Sequence, residues 1–159
     1  MTKLGGIALW AAAVGVFVLA AQDVQAGDPK CGAGSAPVAG KCTPCAAGTF
    51  APAGAAACTP CNPGSYADGP GAAACHACNP GFSAKDKGAT SCRACNPGHA
   101  AKDPGAATCG ACDAGTFAGI AATSCNACPA NTFSSAASFA CKPCAAGTTS
   151  APGSAACKK

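Results

Sequence analysis

Cys45-Ala46-Ala47-Gly48-Thr49-Phe50-Ala51-Pro52-Ala53-Gly54-Ala55-Ala56-Ala57-Cys58-Thr59-Pro60-Cys61 is one period of a pattern that runs through most of this 159-residue chain. Seven C-x-x-C pairs begin at Cys42, Cys58, Cys75, Cys92, Cys109, Cys125 and Cys141, each 16 or 17 residues after the last. Single cysteines, Cys31 and Cys157, stand at either end of this ladder. Repetition at a fixed period is read before any other fold signal, because each unit is one supersecondary element that leans on its neighbours. Units start at Cys45, Cys61, Cys78, Cys95, Cys112, Cys128 and Cys144 and are numbered one to seven below. The shorter segment from Cys31 to Cys42 reads as a degenerate opening unit.

Outside the ladder, Lys3 precedes an apolar run from Leu4 to Ala21, followed by Val24-Gln25-Ala26. A short apolar core after a positive residue, with small residues before a cut, is the pattern of a secretory signal peptide. We expect cleavage after Ala26 rather than retention as an anchor. The expected organisation is residues 1–26 as signal peptide, 27–41 as degenerate first unit and 42–159 as tandem cysteine-rich repeats. No membrane span is expected in the mature chain, and localisation is expected to be secreted, periplasmic or at the cell surface.

From Gly27 onward the chain has no Leu, Met or Trp, and Val38 and Ile120 are its only large aliphatic residues. The 50% hydrophobic content is mostly alanine, cysteine and the leading segment. Bulky side chains that usually fill a core are missing. Cysteine at this density in an exported chain compensates by covalent stapling. The net charge of +4 is spread thinly, with no basic run suited to nucleic acid or anionic lipid. Lys158-Lys159 reads as a solvated terminus.

Within each unit, Gly48, Gly64, Gly81, Gly98, Gly115 and Gly147 lie three residues after a cysteine, and Pro63, Pro80 and Pro97 precede three of them. Pro-Gly is turn chemistry: proline fixes φ and glycine accepts positive φ. A second set, Gly54, Gly71, Gly88, Gly105 and Gly153, lies four residues before the next cysteine, where another reversal is expected. Between the turns, two or three residues such as Thr49-Phe50-Ala51 suffice for only a minimal β-ladder. Phe50, Tyr66, Phe117 and Phe133 hold the fifth place after the cysteine, with Phe82 shifted by one, and we read these rings as lids over the adjacent sulfurs. Asn131, Ala121 and Ala137 break the glycine pattern, so units five and six are expected to turn differently.

Sixteen cysteines permit about two million complete pairings. Parity prunes them: matching whole C-x-x-C pairs to each other leaves one pair over and strands both end cysteines. Sequential pairing strands nothing. It joins Cys31 to Cys42, Cys45 to Cys58, Cys61 to Cys75, Cys78 to Cys92, Cys95 to Cys109, Cys112 to Cys125, Cys128 to Cys141 and Cys144 to Cys157. Each bond closes a loop of about a dozen residues, for which chain entropy gives roughly 3 kcal/mol. The expected fold is a small disulfide-rich repeat, an elongated rod or solenoid of short β-turn and β-hairpin units. It has little regular secondary structure and no helical core after the signal peptide, and contacts run locally from unit to unit.

The motif C-x-x-C-x-x-G-T-F-A…G-A-x-x-C-x-x-C resembles the ephrin-receptor-like cysteine-rich repeat, with a looser likeness to tumour necrosis factor receptor modules. The resemblance runs from about Cys42 to Cys157 and is best over Cys45–Cys61, Cys61–Cys78 and Cys78–Cys95, where both glycines are present. It implies extracellular, non-catalytic modules with structural cystines. It does not carry receptor function, because no kinase, no span after the repeats and no ligand-binding domain accompany the units.

Metal binding is the competing chemistry, since C-x-x-C also suits four-thiolate zinc sites, and thiolates suit Cu(I). Seven pairs do not divide into four-cysteine sites, and export oxidises thiols that no metal has reached. A redox-active pair needs a helix N-terminus to lower a thiol pKa, and no helical period is present. No C-x-x-C-H for covalent haem occurs. His76 and His99 read as exposed loop residues without nucleophilic partners, and the chain has no Glu for paired-carboxylate catalysis. We expect a non-enzyme without cofactor or metal site, partnered by a protein or a surface glycan and not by nucleic acid. An exported zinc- or copper-sequestering protein is the alternative.

Overall fold

The computed structural model describes residues 30–159. The expected signal peptide lies outside the described residues. Among them no helix forms, and all regular structure is in seven two-stranded antiparallel hairpins. The opening unit makes the longest, β1 (Ser35–Val38) against β2 (Lys41–Pro44), and its two connecting residues, Ala39 and Gly40, both have positive φ. That is the pattern of a type I′ turn, whose twist matches the paired strands.

The other six hairpins have two residues per strand. They pair β3 (Thr49–Phe50) with β4 (Thr59–Pro60), β5 (Ser65–Tyr66) with β6 (His76–Ala77), and β7 (Phe82–Ser83) with β8 (Arg93–Ala94). Then follow β9 (His99–Ala100) with β10 (Gly110–Ala111), β11 (Thr116–Phe117) with β12 (Asn126–Ala127), and β13 (Thr132–Phe133) with β14 (Lys142–Pro143). The second strand of each pair is the x-x of a C-x-x-C. The joint between cysteines therefore serves as the strand that closes the preceding unit.

The turn ahead of each first strand follows from its residues. In unit two, the Ser65 amide donates to the Asn62 carbonyl at 3.0 Å, with Pro63 and Gly64 between them and Gly64 at φ +87°. Proline then glycine at positive φ is the signature of a type II turn. The Ser65 hydroxyl donates to the same carbonyl at 2.7 Å, and Thr49, Thr116, Thr132 and Thr148 repeat that bond in their units.

Units are also joined edge to edge by backbone hydrogen bonds. The Gly48 amide of unit one donates to Ala67 O of unit two at 2.8 Å, and Ala51 N donates to Ala72 O at 3.0 Å. In return the Gly71 amide of unit two donates to Cys45 O at 2.8 Å. Equivalent bonds recur along the chain to Asn131 N, which donates to Ser150 O, and Gly153 N, which donates to Cys128 O. The result is a disulfide-rich rod of stacked units whose backbone polar groups find partners in the next unit, as buried amides require.

The expectation that units five and six turn differently is overturned. Ala121, Asn131 and Ala137 hold φ of +53°, +63° and +55°, the same left-handed conformation as the glycines they replace. Each carries a left-handed penalty of roughly 1–2 kcal/mol, lower for asparagine, that the hydrogen bonds made by its amide offset.

The core is not where the aromatic rings are. Fully buried residues form a column repeated by unit: Cys45, Gly48 and Ala51; Cys61, Gly64 and Ala67; Cys112, Gly115 and Ala118. Phe50, Tyr66, Phe117 and Phe133 are half-buried, and Phe82 is 37% exposed. Sulfur, backbone and alanine methyls fill the axis of the rod, because units stacked by backbone hydrogen bonds leave no room for larger side chains.

Candidate functional site

The residues with the strongest chemistry are the sixteen cysteines, and the structure joins each to another. The bonds are Cys31–Cys42, Cys45–Cys58, Cys61–Cys75, Cys78–Cys92, Cys95–Cys109, Cys112–Cys125, Cys128–Cys141 and Cys144–Cys157, with Cα separations of 5.5 to 5.7 Å. No described cysteine is free. The two sulfurs of a bond live in different surroundings. From Cys31 to Cys128 the first half-cystine of each bond is buried in the axial column, while its partner is half-buried or exposed, Cys42 and Cys125 being exposed. Each bond thus ties the axis to the surface of its own unit.

The column imposes a second condition on the turn glycines. A Cβ built on Gly64 would collide with the carbonyl oxygen of Gly105, two units further on. The same close approach sets Gly34 against Gly71, Gly48 against Gly88, Gly81 against Ala121, Gly98 against Ala137 and Gly115 against Gly153. Units therefore touch their second neighbours as well as their first, where the sequence reading expected adjacent contacts only. Positive φ explains why a turn favours glycine, but the carbonyl explains why a non-glycine residue is not tolerated here.

The serines that replace the column alanine near the end add a hydrogen bond each. Ser134 is 1% exposed, and its hydroxyl donates to Thr116 O at 2.9 Å. Ser150 donates to Thr132 O at 2.7 Å. No buried side-chain polar atom of the described residues lacks a partner.

Neither histidine lies on a loop. His76 is on β6, with its ring 5.9 Å from that of Tyr66, and His99 is on β9, with Nδ1 3.4 Å from Pro97 O. Among the described residues no group of three His, Cys, Asp or Glu is arranged to hold a metal ion, and no helix is long and apolar enough to cross a membrane.

The alanine column was missed by the sequence reading, though its signal was present. Ala51, Ala67, Ala84, Ala101 and Ala118 each stand six residues after a unit's first cysteine. In a chain so rich in alanine that periodicity is easily lost. A patch on units three and four, formed by Ser83, Lys85, Arg93 and His99, was likewise missed, because its residues lie on both sides of Cys92 and Cys95.

Residues 48–95 match the family model described as tyrosine-protein kinase ephrin type A/B receptor-like. No curated protein matches the chain. The matched stretch covers units one to three, where the residues carry the resemblance best, and the eight disulfides continue the pattern to Cys157. The chain is a cysteine-rich disulfide-repeat protein whose residues 48–95 are similar to ephrin-receptor-like repeats, a type that is typically non-catalytic.

Proposed function

We propose that this chain is a secreted or cell-surface spacer and interaction module, without catalytic activity, exported by a signal peptide cleaved after Ala26. The observation that carries the reading is the position of the sulfurs. Seven of the eight first half-cystines are buried in the axis of the rod, in units that have no other bulky core. A cystine in that position holds shape. A thiolate kept for metal or redox exchange needs access and a charged neighbourhood that lowers its pKa. Eight such bonds also favour an oxidising compartment, in agreement with the extracellular character of the matched family.

A rod of stacked rigid units sets a distance between whatever it joins, and it offers a long surface along which a partner binds. The proposed pairing is the sequential one, with structural roles for all sixteen cysteines. Alkylation of the native protein followed by intact-mass measurement tests it. Eight cystines give no labelled thiol and a mass about 16 Da below that of the reduced chain, two hydrogens for each bond. Abundant labelled thiols together with bound zinc or copper would instead establish the metal-sequestering alternative. N-terminal sequencing of the exported protein tests the cleavage site, with Gly27 as the expected first residue.

A further inference from the structure

Hairpin pairing on unit three brings together charges that are dispersed in the sequence. Ser83 on β7 lies directly opposite Arg93 on β8. Beside this pair is an open cleft of about 270 Å³ whose polar lining includes Ser83, Lys85, Arg93, Asn96, His99 and Thr108. Two of these side chains are cations, and none is a carboxylate. A second cleft of about 440 Å³ shares Ser83, Lys85 and Arg93, adding Lys87 and a single acid, Asp86. Ser91 lines both this second cleft and a third of about 270 Å³ that has Tyr66 and Phe82 in its wall. The first two clefts, joined through Ser83, Lys85 and Arg93, make one shallow cationic groove lined with neutral donors, and the third cleft meets it at Ser91. Lys85, Lys87 and Arg93 have no ion-pair partner among the described residues.

We propose that this groove binds an acidic polysaccharide, a sugar chain bearing carboxylate or sulfate groups. The inference rests on the reading of the protein as an interaction module and names the chemistry of the partner. Arg93 presents a planar fork suited to two oxygens of one carboxylate or sulfate, and Lys85 and Lys87 add point charges alongside. Ser83, Asn96 and Thr108 supply the neutral donors and acceptors that sugar hydroxyls require. Tyr66 and Phe82, in the wall of the adjoining third cleft, offer an apolar surface for a neighbouring pyranose of the same polymer. An open, elongated groove suits a polymer better than a small anion, which favours an enclosed pocket. Nucleic acid is less well matched, since its bases need stacking platforms repeated along the strand, and no Tyr, Phe or Trp ring lines the two cationic clefts.

Binding of the full chain to immobilised heparin, to polygalacturonate and to neutral dextran tests the proposal. One arm offers sulfate and the next carboxylate alone. We expect salt-sensitive binding to at least one acidic polymer and none to dextran. The double variant Lys85→Gln/Arg93→Gln should weaken binding about tenfold or more, since charge-assisted contacts are lost and tenfold corresponds to 1.4 kcal/mol. A control with Lys142→Gln and Lys158→Gln, distant in sequence from the groove, should bind as the unmodified chain does. If Arg93→Gln prevents ring closure, as native alkylation would reveal, the pair Lys85→Gln/Lys87→Gln carries the same expectation. No binding to either acidic polymer, equal loss in the control, or tighter binding to an oligothymidylate would overturn the proposal. Such a result with all eight cystines intact removes the glycan groove alone, whereas free thiols in the starting protein would remove the module reading.

Discussion

The stack from the opening unit to unit five and the last two units, six and seven, share a turn but not its surroundings. In the first region the residue three places after the cysteine is always glycine, always buried, and always faces a carbonyl two units on. In the second region it is Asn131 and then Gly147, both exposed. Among the described residues no unit lies two steps beyond them, and a Cβ on Gly147 meets nothing within 4 Å. Asn131 makes the turn at φ +63° with its side chain in place. Glycine at this position is therefore a requirement of stacking more than of the turn, and the comparison separates two causes that sequence alone merges.

The widest separation between the regions should come from one substitution made twice. Gly64→Ala adds a methyl where Gly105 O stands, so the left-handed penalty of about 1–2 kcal/mol is joined by an overpacking cost of about 1–3 kcal/mol. Gly147→Ala carries the left-handed penalty alone. Thermal unfolding without reductant should show the first loss to be the larger by at least about 1 kcal/mol. Equal losses would mean that second-neighbour contacts contribute nothing.

A smaller contrast is expected in the column of alanines. Ala118 is 0% exposed, whereas its counterpart in unit seven, Ser150, is half-buried. Ala118→Leu should destabilise by about 1–3 kcal/mol through overpacking. Ser150→Leu should cost less of that strain, losing chiefly the bond to Thr132 O. Denaturant midpoints of the two variants, measured side by side, make the comparison. The smallest effect belongs to Ser134→Ala, which removes the hydroxyl that bonds Thr116 O and should cost about 0.5–1.5 kcal/mol. A change near zero would indicate that the serine only fills the place of the alanine.

The parts of this fold that local chemistry decides were legible in the sequence. Pro63-Gly64 forms the turn it spells, and the two-residue strands are as short as the spacing between turns allows. The rod form followed from the repeat and the want of large aliphatic residues. What was not legible depends on the pitch of the stack. Nothing near Gly64 in sequence reveals that Gly105 lies against it. Ala121 and Ala137 looked like broken turns, because the cost of a left-handed alanine is local and the hydrogen bonds that offset it come from the preceding unit. The rings of Phe50 and Tyr66 looked like core because they are the largest apolar groups available, yet the axis admits only atoms as small as a methyl or a sulfur. The groove on units three and four was hidden for a similar reason, since Arg93 reaches Ser83 only through the pairing of β7 and β8.

Amide hydrogen exchange of the oxidised protein tests the stacked arrangement most directly. The amides of Gly48, Gly64, Gly81, Gly98 and Gly115 each donate to a carbonyl of the next unit at 2.7 to 2.8 Å, and among the described residues the same amide of Gly147 has no such partner. The account predicts strong protection of those five and rapid exchange at Gly147. Exchange of all six at one fast rate would contradict it, and would describe independent rings linked in a line in place of a rod.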